Sequence, residues 1–192
     1  MQKEEIPLRG CLGLLEPSPL VLVTTEVRDT PNVSTCSWIM PAGLTPPTLA
    51  LSLSPESLTR RNIEDRGEFI ANIPGRELAR EAAFCGSVSG REVQKWKECR
   101  LRLEPGGRVR APLLSDCIAH LECRAVDSRP WGGNIVFAAE VVLALVVRGG
   151  FEPSRGWNLE DPAARFLLHL GGSCYASPER VVEVDPMRGQ KW

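Results

Sequence analysis

Small hydrogen-bonding side chains are concentrated in two short stretches of the chain. They are Asn32, Ser34, Thr35, Cys36 and Ser37 in the first stretch, and Ser54, Ser57, Thr59 and Asn62 in the second stretch. Small side chains let a flat ring approach the backbone, and hydroxyl, amide and N–H groups then hydrogen-bond its edge. The second stretch also carries Arg60 and Arg61 near a predicted helix start, where unpaired N–H groups and the helix dipole attract a phosphate. Ordinary helix capping with solvated arginines is the alternative interpretation.

The strands that position the first stretch follow from local patterns. β-branched content predicts a strand at 20–25, and Asp, Pro and Asn predict a turn at 29–32. A second strand at 33–39 completes a hairpin, and a third strand is predicted at 49–53. The first stretch therefore lies mostly within one strand of the hairpin.

Helix signals follow the third strand. Ser54 is the predicted N-cap, and Pro55 the first residue, of a helix that continues through 57–63. Strong helix formers with apolar residues at helical spacing predict a second short helix at 77–84, which ends at Gly86.

The second half of the chain is rich in strand signals. Residues 118–126 alternate between apolar and polar types, and 135–147 are a long apolar strand or strand pair, with a turn at 131–134. A C-terminal arm at 151–192 is predicted to hold a short helix at 161–168 and then an extended segment.

The composition of the chain indicates how many domains it has and what kind of partner it binds. The chain has 192 residues and 43% hydrophobic residues, with no linker-like segment, which predicts a single domain over 1–192. Apolar runs stay shorter than the ~20 residues of a membrane span. Basic residues are scattered and the net charge is −1, which argues against nucleic-acid or membrane binding and favours a small-molecule partner.

The seven cysteines predict free thiols in a reducing compartment. Their number is odd, and no C-x-x-C pair occurs, so no metal site is expected. The start of the chain lacks the basic and then apolar pattern of a secretory signal, which favours the cytoplasm. Cys36 lies within the first stretch, where a packing role is favoured over redox chemistry.

An ordered series of short motifs resembles the flavin reductase-like family. The motifs lie at 19–25, 32–37, 45–47, 57–63, 67–74, 89–90, 95–96, 111–114 and 121–123, and a flavoredoxin-like motif lies at 169–175. The resemblance spans about residues 10–180. It implies a mainly β protein with short helices, folded as an FMN-binding split β-barrel of Greek-key type.

The resemblance also implies a cofactor, a reaction and partners. FMN is the expected cofactor, with ring and ribityl contacts from the first stretch and phosphate contacts from the second. The expected activity is an oxidoreductase in which NADH or NADPH reduces the flavin, which then passes electrons to a free flavin, a ferric centre or another protein. The alternatives are a non-catalytic FMN electron carrier reduced by a protein partner, and a barrel that has lost its flavin site. A homodimer with flavin near the interface is expected.

One motif departs from the family pattern. Many flavin reductases have Gly-Asp-His before the long strand, with the His near the nicotinamide, whereas this chain has Gly132, Gly133 and Asn134. Asn134 is therefore either a residue on the nicotinamide side or simply part of a turn. His169 is a second candidate for the nicotinamide side, while His120 is expected to be structural. Tryptophans usually pack against other side chains, and Trp131, beside the Gly-Gly turn, is the best candidate among them for a lid residue.

Overall fold

The computed structural model describes residues 3–181, so residues 182–192 of the predicted C-terminal arm lie outside the described residues. The strands are β1 Ser18–Pro19, β2 Val21–Val27, β3 Thr30–Cys36, β4 Ile39–Leu44, β5 Pro47–Leu53, β6 Glu68–Ile73, β7 Leu103–Glu104, β8 Leu113–Leu114, β9 Ala119–Trp131, β10 Asn134–Val146, β11 Phe151–Glu152, β12 Gly156–Trp157, β13 Leu168–His169 and β14 Tyr175–Ala176. The α-helices are α1 Leu58–Arg66, α2 Ala79–Ser87 and α3 Lys95–Glu98, and 3₁₀ turns lie at Leu8–Leu15, Arg76–Leu78 and Pro162–Ala164. Among these helices, none combines the length and apolar character needed to cross a bilayer.

A seven-stranded antiparallel sheet in the order β3-β2-β6-β9-β10-β5-β4 forms the body of the protein. Its two edge strands, β3 and β4, are consecutive in the chain and are joined only by Ser37 and Trp38. Such a link spans at most about 11 Å between Cys36 and Ile39, so the sheet must curl until its edges approach. The result is a barrel with a split between β3 and β4.

The core confirms that the sheet closes around its own side chains. One buried cluster combines Cys36 of β3, Leu51 of β5, Phe69 of β6 and Phe137 of β10, which come from opposite ends and the middle of the strand order. A second cluster, including Leu22 and Val33, packs the outer face of β2 and β3 against Ala82 and Cys85 of α2. Both faces of β2 are therefore buried.

The first hairpin is present, but its turn lies earlier than predicted. Arg28 and Asp29 form the turn with positive φ angles of 52° and 57°, as in the two-residue hairpin turns that match strand twist. The predicted turn at 29–32 is wrong because Pro31 and Asn32 already pair with β2. Pro31 is tolerated because β3 is an edge strand and needs no N–H on its free side.

The predicted strand at 33–39 is two strands. It breaks after Cys36, and the chain restarts as β4, which pairs with β5 through Ile39 to Leu44. Most of β4 has no strand signal of its own, because Pro41 and Gly43 have low strand propensity. Pairing with β5 keeps this segment extended.

Ser57, not Ser54, is the N-cap of α1. The Ser57 Oγ accepts the Arg60 N–H at 3.4 Å, whereas the Ser57 N–H donates to the Ser54 carbonyl at 3.0 Å in a preceding turn. Pro55 fits either position, because the first helical residue and the second residue of a β-turn share a φ of about −65°. Local sequence therefore placed the cap too early.

Two of the other predicted elements agree with the structure, and one does not. The long apolar run is one strand, β10, which pairs with β9 around Gly132 and Gly133. The predicted helix at 77–84 is the 3₁₀ turn Arg76–Leu78 followed by α2. The predicted helix at 161–168 is wrong, since only Pro162–Ala164 turn and β13 pairs with β1 instead.

A buried polar network fixes β6 against β2 and β9. The Asn72 Nδ2 donates to the Leu22 carbonyl at 2.7 Å and to the Thr24 Oγ1 at 3.0 Å. Its Oδ1 lies 2.9 Å from the Leu114 N–H and 2.9 Å from the His120 Nδ1. Because the Asn72 Oδ1 is an acceptor, the contact requires a proton on the His120 Nδ1. Its predicted structural role fits this geometry.

The buried His120 should make the fold less stable in acid. Burial lowers the pKa of His120 below 6.5, while Glu104 and Glu122 oppose the shift. In acid, the unfolded chain binds a proton at His120 that the folded chain does not bind. The free energy of unfolding therefore falls as pH drops through about 6.5. Urea unfolding at about pH 8 and about pH 5 should show a smaller acid loss for His120→Gln than for the wild type. His169→Gln, which removes the other histidine, should keep the wild-type loss, and equal losses in all three proteins would contradict the assignment.

Candidate functional site

The split between β3 and β4 opens into a cavity lined by the first stretch. We call it the split cavity: it is about 330 Å³ and is lined by Ser34, Thr35, Cys36, Ser37, Trp38, Ser52, Leu53, Ser54, Ser57 and Asn134. Because β3 has a sheet neighbour on only one side, the backbone groups on its other edge face the split. Donors and acceptors of the main chain are thus available where the small side chains leave room.

A second cavity adjoins the split cavity through Ser34, Ser54 and Ser57. We call it the inner cavity: it is about 210 Å³ and is lined by Asn32, Ser34, Ser54, Glu56, Ser57, Leu58, Thr59, Val88, Ser89, Gly90 and Lys95. The two cavities together bring every small polar residue of the first and second stretches to one groove except Asn62.

Among residues 3–181, Lys95 is the only lysine or arginine lining the inner cavity, and it is only 4% exposed. Its Nζ donates to the Cys85 carbonyl at 2.7 Å and to the Val88 carbonyl at 3.1 Å. Burial lowers the pKa of Lys95. An ammonium has three N–H groups, and these two bonds leave one available to a ligand in the cavity. A desolvated cation in a cavity is suited to an anion.

Asn32, Thr59 and Gly90 form the wall beside Lys95. The Asn32 Nδ2 donates to the Thr59 Oγ1 at 2.9 Å, which leaves the Thr59 hydroxyl hydrogen free to donate to a ligand. A Cβ at Gly90 would lie 2.0 Å from the Asn32 Oδ1. Only glycine allows the 89–90 loop to approach this wall, so the cavity depends on Gly90.

Thr35, Asn62 and Cys36 are among the residues of the two stretches whose side chains are occupied inside the protein. The Thr35 Oγ1 donates to the Ala82 carbonyl at 2.6 Å and so ties β3 to α2. The Asn62 Nδ2 donates to the buried Thr25 Oγ1 at 2.9 Å. Burial raises the pKa of the Cys36 thiol to about 12, which keeps the thiol protonated and fits the predicted packing role. Thr35 and Cys36 can serve a ligand only through the backbone.

The two candidates for the nicotinamide side lie in different places. Asn134 lines the split cavity, and its Nδ2 donates to the Ser52 Oγ at 3.1 Å. His169 lines neither of the two cavities, and its Nδ1 lies 3.3 Å from the Glu16 Oε1. The structure therefore brings Asn134, but not His169, to the groove of the described chain.

Trp38, rather than Trp131, is the tryptophan at the groove. Trp38 lines the split cavity and is 51% exposed. Its carbonyl accepts the Ser52 N–H at 2.9 Å, which fixes the link between the edge strands. Trp131 is 77% exposed and lines neither cavity within residues 3–181.

Sequence patterns did not assign roles to Lys95, Ser52 or Gly90. Lys95 follows no local pattern that marks it as buried, and an isolated lysine is usually solvated. Its burial arises from the packing of α3 near α2 and β3. The only sequence signals were the short motifs at 89–90 and 95–96.

Comparison with known proteins identifies the family. A family model described as a flavin reductase like domain matches residues 14–172. The chain belongs to this family. It is 30% identical over 144 residues to a flavin reductase (NADH) of Kitasatospora aureofaciens, which covers 74% of this chain and 70% of that protein.

Solved structures of the flavin reductase-like family have the same fold. A flavoredoxin of Desulfovibrio vulgaris is 25% identical, with a TM-score of 0.85 and coverage of 98% of this chain and 100% of that chain. An FMN-binding protein from Thermus thermophilus, 22% identical, has a TM-score of 0.82 with coverage of 96% and 99%. The predicted family and the mainly β split-barrel fold are confirmed.

Proposed function

We propose that this family member binds FMN, with the ring in the split cavity and the phosphate in the inner cavity, and works as an NAD(P)H-dependent oxidoreductase. The observation that carries the proposal is the buried Lys95 ammonium at one end of a groove whose other end is lined by small polar residues. A cation and a polar ring site joined by a serine-lined passage match a molecule with a phosphate and a ring at opposite ends.

The inner cavity fits a phosphate in charge and in donors. Lys95 supplies a cation and one free N–H, and the Thr59 hydroxyl supplies a second donor. Ser54 and Ser57 add hydroxyls along the passage toward the split cavity. Glu56 also lines the inner cavity but is exposed, so its charge is screened by water.

The split cavity fits a ring edge. The free edge of β3 offers main-chain N–H groups beside Ser34 and Ser37, and Ser52 and Asn134 add polar side chains from β5 and β10. The sheet holds these N–H donors in fixed positions. They can therefore stabilise negative charge that develops on the edge of a bound ring without first rearranging. Bound FMN would supply the hydride-accepting and electron-transfer chemistry, with Ser34, Ser37, Ser52 and Asn134 holding its ring edge, so the chain itself would need no acid or base. The acceptor is proposed to be a free flavin, a ferric centre or another protein.

A non-catalytic FMN electron carrier is the second candidate. The observation that favours it is Asn134, which stands where many family members have a histidine and which already donates to Ser52. An amide does not titrate near neutral pH and carries no charge toward a nicotinamide. In that function a protein partner, rather than NADH or NADPH, delivers the electrons.

We also propose that two copies of the chain assemble, in the cytoplasm, with the groove near their interface. Large apolar side chains are exposed on and beside the edge strand β4: Trp38 is 51%, Met40 61% and Leu44 91% exposed. Apolar side chains gathered on an edge strand are typical of an interface. Trp38 belongs both to this surface and to the split cavity, so a second copy would lie close to the groove.

Lys95→Met should weaken binding of FMN but not of riboflavin, which has the ring without the phosphate. Loss of one charge-assisted contact should raise the FMN dissociation constant by about 10- to 100-fold. Fluorescence titration of both ligands measures the difference. Lys97→Met, an exposed lysine on the same helix, is the matched control and should bind both ligands as the wild type does. Equal loss for both ligands would assign Lys95 to folding, and no loss would reject it as a phosphate ligand.

An anaerobic absorbance spectrum tests the reaction. The FMN-loaded protein should lose its visible flavin band after NADH or NADPH is added, with dithionite as the control for full reduction. Bleaching by dithionite alone would support the electron carrier instead. A protein that takes up no FMN would reject both functions and leave a split barrel without a flavin site.

The assembly has its own test. Sedimentation velocity should give a dimer for the wild type, and Leu44→Glu should shift it toward monomer because a charge would be buried between the copies. Leu8→Glu, at another apolar residue that is 86% exposed, is the control and should stay dimeric. A monomeric wild type would overturn the proposed assembly.

A further inference from the structure

A third cavity adjoins the inner cavity on the side away from the split. It is about 490 Å³ and is lined by Val27, Arg28, Thr30, Pro31, Asn32, Leu58, Arg61, Asn62, Asp65, Gly90, Arg91, Glu92, Val93, Gln94 and Lys95. We call it the arginine cavity. It shares Asn32, Leu58, Gly90 and Lys95 with the inner cavity, so the two cavities adjoin beside the buried Lys95.

The arginine cavity has an excess of positive charge. Arg28, Arg61, Arg91 and Lys95 line it, against the two carboxylates of Asp65 and Glu92. Arg28 and Arg61 form no ion pair with any carboxylate among residues 3–181. Arg91 is anchored, because its Nη1 donates to the Glu56 carbonyl at 2.6 Å. Arg28 and Arg61 therefore line the same cavity as the buried Lys95 without a carboxylate partner among residues 3–181, and their guanidinium groups can bind an anion there.

The elements that carry these arginines are held in place. Arg28 lies in the two-residue turn of the β2–β3 hairpin, with φ of 52°. Arg61 lies on α1, which is capped by Ser57 and tied to the sheet by the bond between Asn62 and Thr25. The positions of both Cα atoms are thus set by the same strands that form the groove.

We propose that the arginine cavity binds a second phosphate group of a nucleotide, beyond the phosphate held at Lys95. The proposal rests on the proposed function, since the inner cavity must hold the first phosphate. Two nucleotides present this chemistry: FAD, whose adenylate phosphate continues from the flavin phosphate, and NADPH, whose 2′-phosphate distinguishes it from NADH. The cavity is more than twice the volume of the inner cavity, so it has room for more than a phosphate.

The test compares two pairs of ligands: FMN with FAD, which adds an adenylate and its phosphate, and NADH with NADPH, which adds only the 2′-phosphate. Isothermal titration measures the affinity of wild type and of the double variant Arg28→Gln, Arg61→Gln for FMN, FAD, NADH and NADPH. The double variant should bind FMN and NADH as the wild type does and should lose at least about tenfold in affinity for FAD or for NADPH. The ligand that loses affinity identifies the source of the second phosphate.

A matched control separates a local contact from general surface charge. Arg66→Gln removes an exposed arginine from the same helix that does not line the arginine cavity, and it should bind all four ligands as the wild type does. Equal losses for Arg66→Gln and the double variant would overturn the proposal, because they would reflect long-range charge. Unchanged FAD and NADPH affinity in the double variant would also overturn it.

Failure of the proposed function gives a different result. If the wild type binds no FMN, the proposed cofactor is rejected, and the comparison of NADPH with NADH alone decides the arginine cavity. If FMN binds but the double variant keeps the wild-type affinities for FAD and NADPH, the flavin site stands and the second phosphate site is rejected.

Discussion

The two-residue link between β3 and β4 is the constraint on which the rest of the structure depends. It joins the outermost strands of a seven-stranded sheet, so the sheet cannot stay open. Curling brings Cys36 and Leu51 into one buried cluster and leaves a split where the link crosses. The same link places Ser37 and Trp38 at the split, and the bond from the Ser52 N–H to the Trp38 carbonyl holds it there. The enclosed core and the groove thus have a common geometric origin.

Elements whose signals are local could be predicted from the sequence, and elements held by pairing could not. Strand 20–25, strand 49–53 and the long strand at 135–147 carry β-branched and apolar residues, and each is a strand. The strand β4 was missed because Pro41 and Gly43 have low strand propensity, and only its ladder to β5 makes it a strand. The helix predicted at 161–168 does not form, because Leu168 and His169 pair with β1 instead. Tertiary pairing decided both segments.

In the candidate site, too, local sequence signals could be predicted and the results of tertiary packing could not. The two polar stretches could be located from the sequence because small hydroxyl and amide residues are visible as a pattern, and the structure gathers most of them around one groove. Which atoms face the groove could not be predicted. Thr35 turns its hydroxyl to the Ala82 carbonyl, and the burial of Lys95 depends on two carbonyls that follow from the position of α2. Directions of this kind arise from packing between elements distant in sequence.

The burial of Lys95 links anion binding to proton uptake. Its ammonium is desolvated when the protein folds, which lowers its pKa, and an anion that arrives beside it raises the pKa again. Between these two pKa values, an anion bound at the proposed site would bring up to one proton with it, so its affinity would decline as the solution becomes alkaline. The heat of binding then depends on the ionisation enthalpy of the buffer. Folding already removes water from the Lys95 ammonium. Binding of an anion beside it therefore requires no further dehydration of the cation.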